Sequence, residues 1–386
     1  MIKMTKLAIQ GGNPVRDTPL HLAEPIIGEE EISAVTKVLR SKWIREGEKV
    51  KEFEEKFSEY IGSKYAVAVS SGTAALHTAY ATCGIREGEE VIVPSFTHIS
   101  TVNAVLYIGA IPVFAEIDPN TYTIHPNDVE NKITNKARAI IVVHWAGHPA
   151  DMETLVDIAK RHNLIVIEDA CQATGALYHS KKVGSFGDTA CFSFYPSKII
   201  TTGEGGMIVT NSKEIAEKAK LFRNYGQSWE RRFTHTILGY NYRMTELQAA
   251  MGIVQLDRIE DTIKRKNEVA FRLSDQLQKI KGISPPVLRN DIRHTFMHYM
   301  IKVNEKDFGK ARDFIVEALN AENIQSRVYI PPVHLQPYYK EKFKYEEGLL
   351  PITENVAKKV LTLPCSPTMK DSDIKDIVEA IYKIIK

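Results

Sequence analysis

The chain has 386 residues, 44% of them hydrophobic and 25% charged, an ordinary globular balance that leaves room for one large core or for two domains. Its 50 Lys and Arg against 48 Asp and Glu give a formal net charge of +2, which offers no bulk attraction for nucleic acid or an anionic membrane. No apolar run approaches the roughly 20 residues of a membrane span, and the opening MIKMTKLAIQGG carries no apolar signal core, so a cytoplasmic protein is expected.

Four cysteines, Cys83, Cys171, Cys191 and Cys365, stand far apart with no Cys-x-x-Cys pair and no metal-type histidine spacing, so they read as small buried hydrophobes. Short basic stretches such as IKRKNE (263–268) read as solvated helix surface.

Along the chain, helical and strand-like segments alternate from residue 28 to about 210. In EEEISAVTKVLRSKW (29–43), Ile32, Val35, Val38 and Leu39 fall on one helical face, and Phe53, Phe57 and Tyr60 repeat the spacing further on. A strand is expected in KYAVAVSS (64–71) and a helix in AALHTAYATCG (74–84). The runs VIVP (91–94), IPVFAEI (111–117), ARAIIVVHWAG (137–147) and NLIVIEDA (163–170) are continuous rather than alternating, as in strands buried on both faces of a parallel sheet. An α/β domain follows, with a mostly parallel sheet between helices.

A long helix is expected through Ile259, Ile263, Ala270, Leu273, Leu277 and Ile280. Beyond it lie a strand (295–303), a helix (308–323), a strand SRVYI (326–330) and a last helix (371–386), which suggest a smaller α+β unit. The division expected is 1–262 for the large unit and 263–386 for the small one.

Three segments carry chemistry. In VAVSSGTAALHTA (67–79) a strand ends in a glycine turn that opens a helix, so the free amides of Gly72 and Thr73 suit a phosphate, although an N-capped turn has the same sequence. It is neither a Walker loop nor a dinucleotide fingerprint. NLIVIEDACQATGA (163–176) delivers Glu168 and Asp169 at the carboxyl end of a strand, where ligands of open α/β sheets bind, with Gln172 three residues on. In FSFYPSKIITTGEGG (192–206), Lys198 sits between an apolar run and a glycine cluster. A desolvated lysine there has the lowered pKa that Schiff-base chemistry with an aldehyde needs. From Asp169 to Lys198 is 29 residues, room for a connection and a neighbouring strand. Anion cradle, carboxylate and amine are together the contacts that pyridoxal phosphate requires.

In order, SSGTAAL, VIVPSFTHISTVNAV, ADM, IEDACQATGA, GSFGDTACFSFYPSKIITTGEGG, GYNYRMTELQAAMG and PPVHLQPYY span nearly the whole chain. This string resembles the DegT/StrS-type sugar aminotransferases, pyridoxal-phosphate enzymes with the aspartate aminotransferase-like fold. The resemblance implies Lys198 as the Schiff-base lysine, Asp169 at the pyridine nitrogen, Gln172 on the ring hydroxyl side, and Ser193 with Gly72 and Thr73 at the phosphate. It implies Asn241 reaching the neighbouring subunit's cofactor, hence a homodimer with shared active sites. His98 takes the place of a stacking aromatic ring, Trp145 that of a frequent tyrosine, and Tyr195 that of a frequent histidine.

Trp43, Arg243, Tyr329 and His334 lie in segments that line the family's substrate pocket. The implied reaction moves an amino group, usually from glutamate, to a keto group of a nucleotide-linked deoxysugar, without metal. Alternatives are an aminotransferase for a cyclitol or other non-nucleotide ketone, and a cofactor-binding regulatory protein without turnover. Sugar dehydratases of the family carry histidine in place of the lysine, which Lys198 argues against.

Overall fold

The computed structural model describes residues 6–231 and 233–385. Seven strands form the central sheet: β1 Tyr65–Val69, β2 Glu90–Pro94, β3 Ile111–Ala115, β4 Ala137–Val143, β5 Ile165–Asp169, β6 Thr189–Ser193 and β7 Gly206–Thr210. Their order is β1-β7-β6-β5-β4-β2-β3. Only β7 runs antiparallel to its neighbours, inserted between β1 and β6. The short GMIVT run behind the glycine cluster gave no separate strand signal in the sequence, yet it returns the chain past the Lys198 loop into the sheet.

Alternation within β1 sends Val67 and Val69 to one face and Ala66 and Ala68 to the other. On the first face pack α3 (Gly72–Thr82) and α4 (Ile99–Tyr107). On the second, α2 (Glu48–Ile61) presents Phe53 and Phe57 to Phe192 and Phe194 at ring distances of 5.0 to 5.5 Å. Helix α1 (Glu29–Ser41) departs from the expected pattern. Val38 is buried, but Ile32 and Leu39 are about half exposed, so part of its apolar face points outward.

Helices α5 (Met152–His162), α6 (Lys213–Arg223) and α7 (Glu246–Asp257) complete the covering of the sheet, and α8 (Ile259–Leu277) leads out of it. Ile259 and Ile263 pack into the core against α2, whereas Val269, Ala270, Leu273 and Leu277 belong to a separate C-terminal core. That core holds the strand Tyr299–Val303, α9 (Arg312–Ala321) and α10 (Asp371–Ile385). Leu7, Val15 and Leu20 join it, and buried Glu322 accepts from the amides of Ala8 and Val15, so the N-terminal stretch packs with this unit and not with the large sheet.

Two expected elements come out differently. Residues 326–330 make a single bridge, Arg327 to Thr362, instead of a strand. The helix expected over 308–323 is interrupted at Gly309, whose φ of +84° stops the short turn Glu305–Phe308 before α9 begins. The basic run 263–268 is not wholly solvated either, because Lys266 is buried.

Candidate active site

The carboxyl ends of β1, β5 and β6 converge on one point, as the parallel order of the sheet requires. At the end of β1, Ser71 caps α3 by accepting from the amide of Ala74. The two preceding amides, of Gly72 and Thr73, have no hydrogen-bond partner among the described residues. They point out of the positive end of a buried helix, which suits an anion.

Gly72 is required for close approach. A Cβ there would stand 2.7 Å from Cβ and 2.9 Å from Oγ of Ser193, the last residue of β6. A Cβ at Gly206, paired with Ser193 in the sheet, would meet the Ser71 carbonyl oxygen at 2.3 Å. Backbone and hydroxyl are thus gathered into one small cradle.

Adjacent residues at the end of β5 diverge. Glu168 points into the protein, where it accepts from the amides of Gly184, Phe186 and Gly187 and lies 2.9 Å from His144 Nε2. Because His144 Nδ1 accepts from the Ala150 amide, Nε2 carries the proton and donates to Glu168. Burial alone would raise the Glu168 pKa, but these donors outweigh it and hold it below the ordinary value. Glu168 is a structural anchor for the loop behind β5.

Asp169 turns the other way. It is 4% exposed, its Oδ2 accepts from Thr101 Oγ1 at 2.7 Å, and its Oδ1 accepts from the Cys171 amide at 3.2 Å. Since the Thr101 hydroxyl spends its proton on Asp169, Thr97 donates to Thr101 across 2.8 Å, completing a short chain. Gln172 is also buried, and its side-chain oxygen accepts from the Ala146 amide, which fixes the segment carrying Trp145.

Lys198 lies in the loop between β6 and β7, which the Thr201 hydroxyl and the Thr202 amide tie to the Phe194 carbonyl. Its amide donates to the Tyr195 carbonyl, while its Nζ has no hydrogen-bond or salt-bridge partner among the described residues. Desolvation lowers its pKa, partly countered by the nearby Cys171 and Asp169. His98 caps α4 across the cleft with Nδ1 turned to Ser100, and desolvation together with the charge of Lys198 lowers its pKa as well.

Gly72, Thr73, Ser193, Asp169 and Lys198 are therefore brought together, with His98 and Gln172 at the margin. An anion cradle, a buried carboxylate and an amine with a lowered pKa are the donor set that pyridoxal phosphate needs, and the unpartnered amides and Nζ leave its contacts free. Asn241 is exposed, on a segment whose Tyr225, Trp229, Ile237 and Leu238 are exposed too.

The four expected substrate residues divide. Tyr329 is half-buried between Trp145 and His298, with ring centroids 5.7 and 4.0 Å away, and burial pushes its hydroxyl up to about 12. Trp43 is half exposed under the Arg45 guanidinium, and Tyr195 is also half exposed. Arg243 donates to Asn224 and lies over the Tyr225 ring. His334 is fully buried, with Nδ1 at 2.7 Å from Ser95 Oγ and Nε2 at 3.1 Å from Glu354; both nitrogens are engaged inside the fold, which turns it from a ligand contact into a support for the Ser95 loop. Thr101, His298 and Lys266 carried no sequence signal, since each is set in place by contacts distant along the chain.

The profile of the DegT/DnrJ/EryC1/StrS aminotransferase family matches residues 25–382. GDP-perosamine synthase of Escherichia coli O157:H7 is 39% identical over 359 residues, covering 93% of this chain and 96% of that protein. Among solved structures, Helicobacter pylori PseC, described as an aminotransferase involved in the biosynthesis of pseudoaminic acid, superposes with a TM-score of 0.91 at 29% identity, covering 95% and 99% of the two chains. DesI, determined in the presence of its TDP-sugar product, gives 0.90 at 30% identity, covering 98% and 95%. The chain belongs to the DegT/DnrJ/EryC1/StrS aminotransferase family.

Proposed function

We propose that this protein transfers an amino group, with glutamate as donor, to a keto group of a nucleotide-linked deoxysugar, working in the cytoplasm as a homodimer with shared active sites. One observation carries the chemistry: the unpartnered, desolvated Lys198 amine lies within charge range of buried Asp169, near the open amides of Gly72 and Thr73. The nucleotide-linked acceptor is supported by the relatives, one named a GDP-perosamine synthase and another studied with a TDP-sugar product.

Pyridoxal phosphate, when bound, supplies an electron sink for the carbon that loses a proton. The chain's own residues supply the rest. Gly72, Thr73 and Ser193 would hold the phosphate by amide and hydroxyl donors, with the dipole of α3 behind them. Asp169, fixed in direction by the Thr101 hydroxyl and the Cys171 amide, would present its carboxylate to the ring nitrogen.

His98 and Gln172 would flank the ring, and Asn241 of the partner subunit would close the phosphate site. Lys198, whose lowered pKa favours the free amine, would hold the aldehyde and would carry a proton to and from the substrate carbon. Trp43, Arg243 and Tyr329 line the entrance where donor and acceptor alternate. Arg243 would have to leave Asn224 to grip a carboxylate or phosphate.

The test is a panel of keto-sugar nucleotides incubated with enzyme and glutamate, read by mass spectrometry. Amination of at least one member is expected. Failure with every keto-sugar nucleotide, alongside amination of a free cyclitol ketone, would overturn the nucleotide-linked assignment.

A further inference from the structure

Beside the Lys198 loop opens a cleft walled by residues 22–26, Lys198, Arg258, Thr262, Lys266 and the turn 365–367. Lys266 is 8% exposed and has no hydrogen-bond or ion-pair partner for its Nζ among the described residues. Burial lowers the Lys266 pKa, and a carboxylate brought beside the amine would favour its charged form again.

The carboxylates nearby are already occupied. Glu31 is held by Arg258 and Gln255, and Glu24 faces His21 at 3.6 Å. Arg258 is further spent on the Ile26 carbonyl. With Arg258 engaged, Lys266 and Lys198 are the basic side chains of this cleft without a partner among the described residues. Lys198 lines the same cleft, so the two amines open onto one space.

We propose that Lys266 anchors a carboxylate of the amino-acid donor, holding it so that the donor's nitrogen reaches the position served by Lys198. The inference rests on the aminotransferase reading, since every amino-acid donor brings a carboxylate within a few bonds of the nitrogen it gives up. An ammonium suits this role as a point charge that tolerates more than one approach of the carboxylate. The acceptor sugar, lacking a carboxylate, gains nothing from it.

The experiment compares the cofactor-loaded protein with Lys266→Met, Lys266→Gln and Lys266→Arg. Calorimetric titration with glutarate, a dicarboxylate without an amine, reads binding apart from turnover. Binding is expected to weaken about tenfold or more in the Met and Gln variants and to survive in the Arg variant. In steady-state assays the donor KM rises in the same proportion while kcat and the acceptor KM stay near their starting values.

Unchanged glutarate binding in Lys266→Met, or equal loss of donor and acceptor affinity, overturns the proposal. So does displacement of glutarate by chloride and sulfate at equal concentration, which marks an adventitious anion only. A wild-type protein that turns over no amino donor refutes the aminotransferase reading itself; a competent wild type with an indifferent Lys266→Met variant refutes this inference alone.

Discussion

The hydroxyl of Thr101 donates to Asp169 Oδ2 at 2.7 Å, and Thr97 donates in turn to Thr101, so a carboxylate at the end of β5 is oriented from the first turn of α4. Replacing Thr101 by Val removes the donor and keeps the shape. The expected loss is about 1–2 kcal/mol of stability, from a buried charged acceptor left short of a partner. Activity should fall with it, because the Asp169 carboxylate loses its fixed direction. Thr101→Ser should recover most of both, read by thermal melts and steady-state rates.

A Cβ at residue 72 would stand 2.7 Å from that of Ser193. Gly72→Ala should therefore cost about 1–3 kcal/mol through crowding and loosen the phosphate cradle. Equilibrium dialysis should find pyridoxal phosphate bound at least about tenfold more weakly. Pyridoxal without its phosphate should bind both proteins alike.

Lys198 has a pKa lowered by burial, so the unfolded chain binds its proton more tightly than the folded one. Between the folded pKa and the ordinary value of 10.5 the unfolded state carries more protons, and stability rises with pH; below the folded pKa the full penalty applies. Lys198→Met should accordingly melt higher than wild type at neutral pH when both lack cofactor. That difference should shrink as pH climbs toward 10.5. A constant difference across the range would contradict the assignment.

Asn241 is exposed on a segment with a run of exposed apolar side chains. If it completes the partner's site, chains carrying Lys198→Ala and chains carrying Asn241→Ala should each have little activity alone. Mixed under conditions that exchange subunits, they should regain activity, because one site of each mixed dimer has both residues intact. No recovery in a verified mixed dimer would remove Asn241 from the shared site.

Much of this arrangement is legible in the sequence because it is local. The continuous apolar runs ending in Ser-Ser-Gly-Thr and Glu-Asp place Gly72 and Asp169 at strand ends, and buried parallel strands leave few other readings. What escaped has long-range causes. Nothing in SFTHIST marks Thr101 as the partner of a residue 68 positions away.

His334 reads as a candidate substrate contact in PPVHLQPYY, and only the fold brings Ser95 and Glu354 to its two nitrogens. Lys266 sits in a run of charges that reads as solvated helix face, until the turn 365–367 packs over it. The N-terminal stretch joins the C-terminal core through Leu7 and the buried Glu322, a pairing over about 300 residues that no local pattern signals.

The most direct test of the central claim is chemical. The purified protein, loaded with pyridoxal phosphate and reduced with borohydride, should carry the cofactor on one lysine, identified by peptide mass spectrometry as Lys198, and prior treatment with glutamate should abolish the labelling. Labelling spread over surface lysines, or a single label on any residue other than Lys198, would contradict the account.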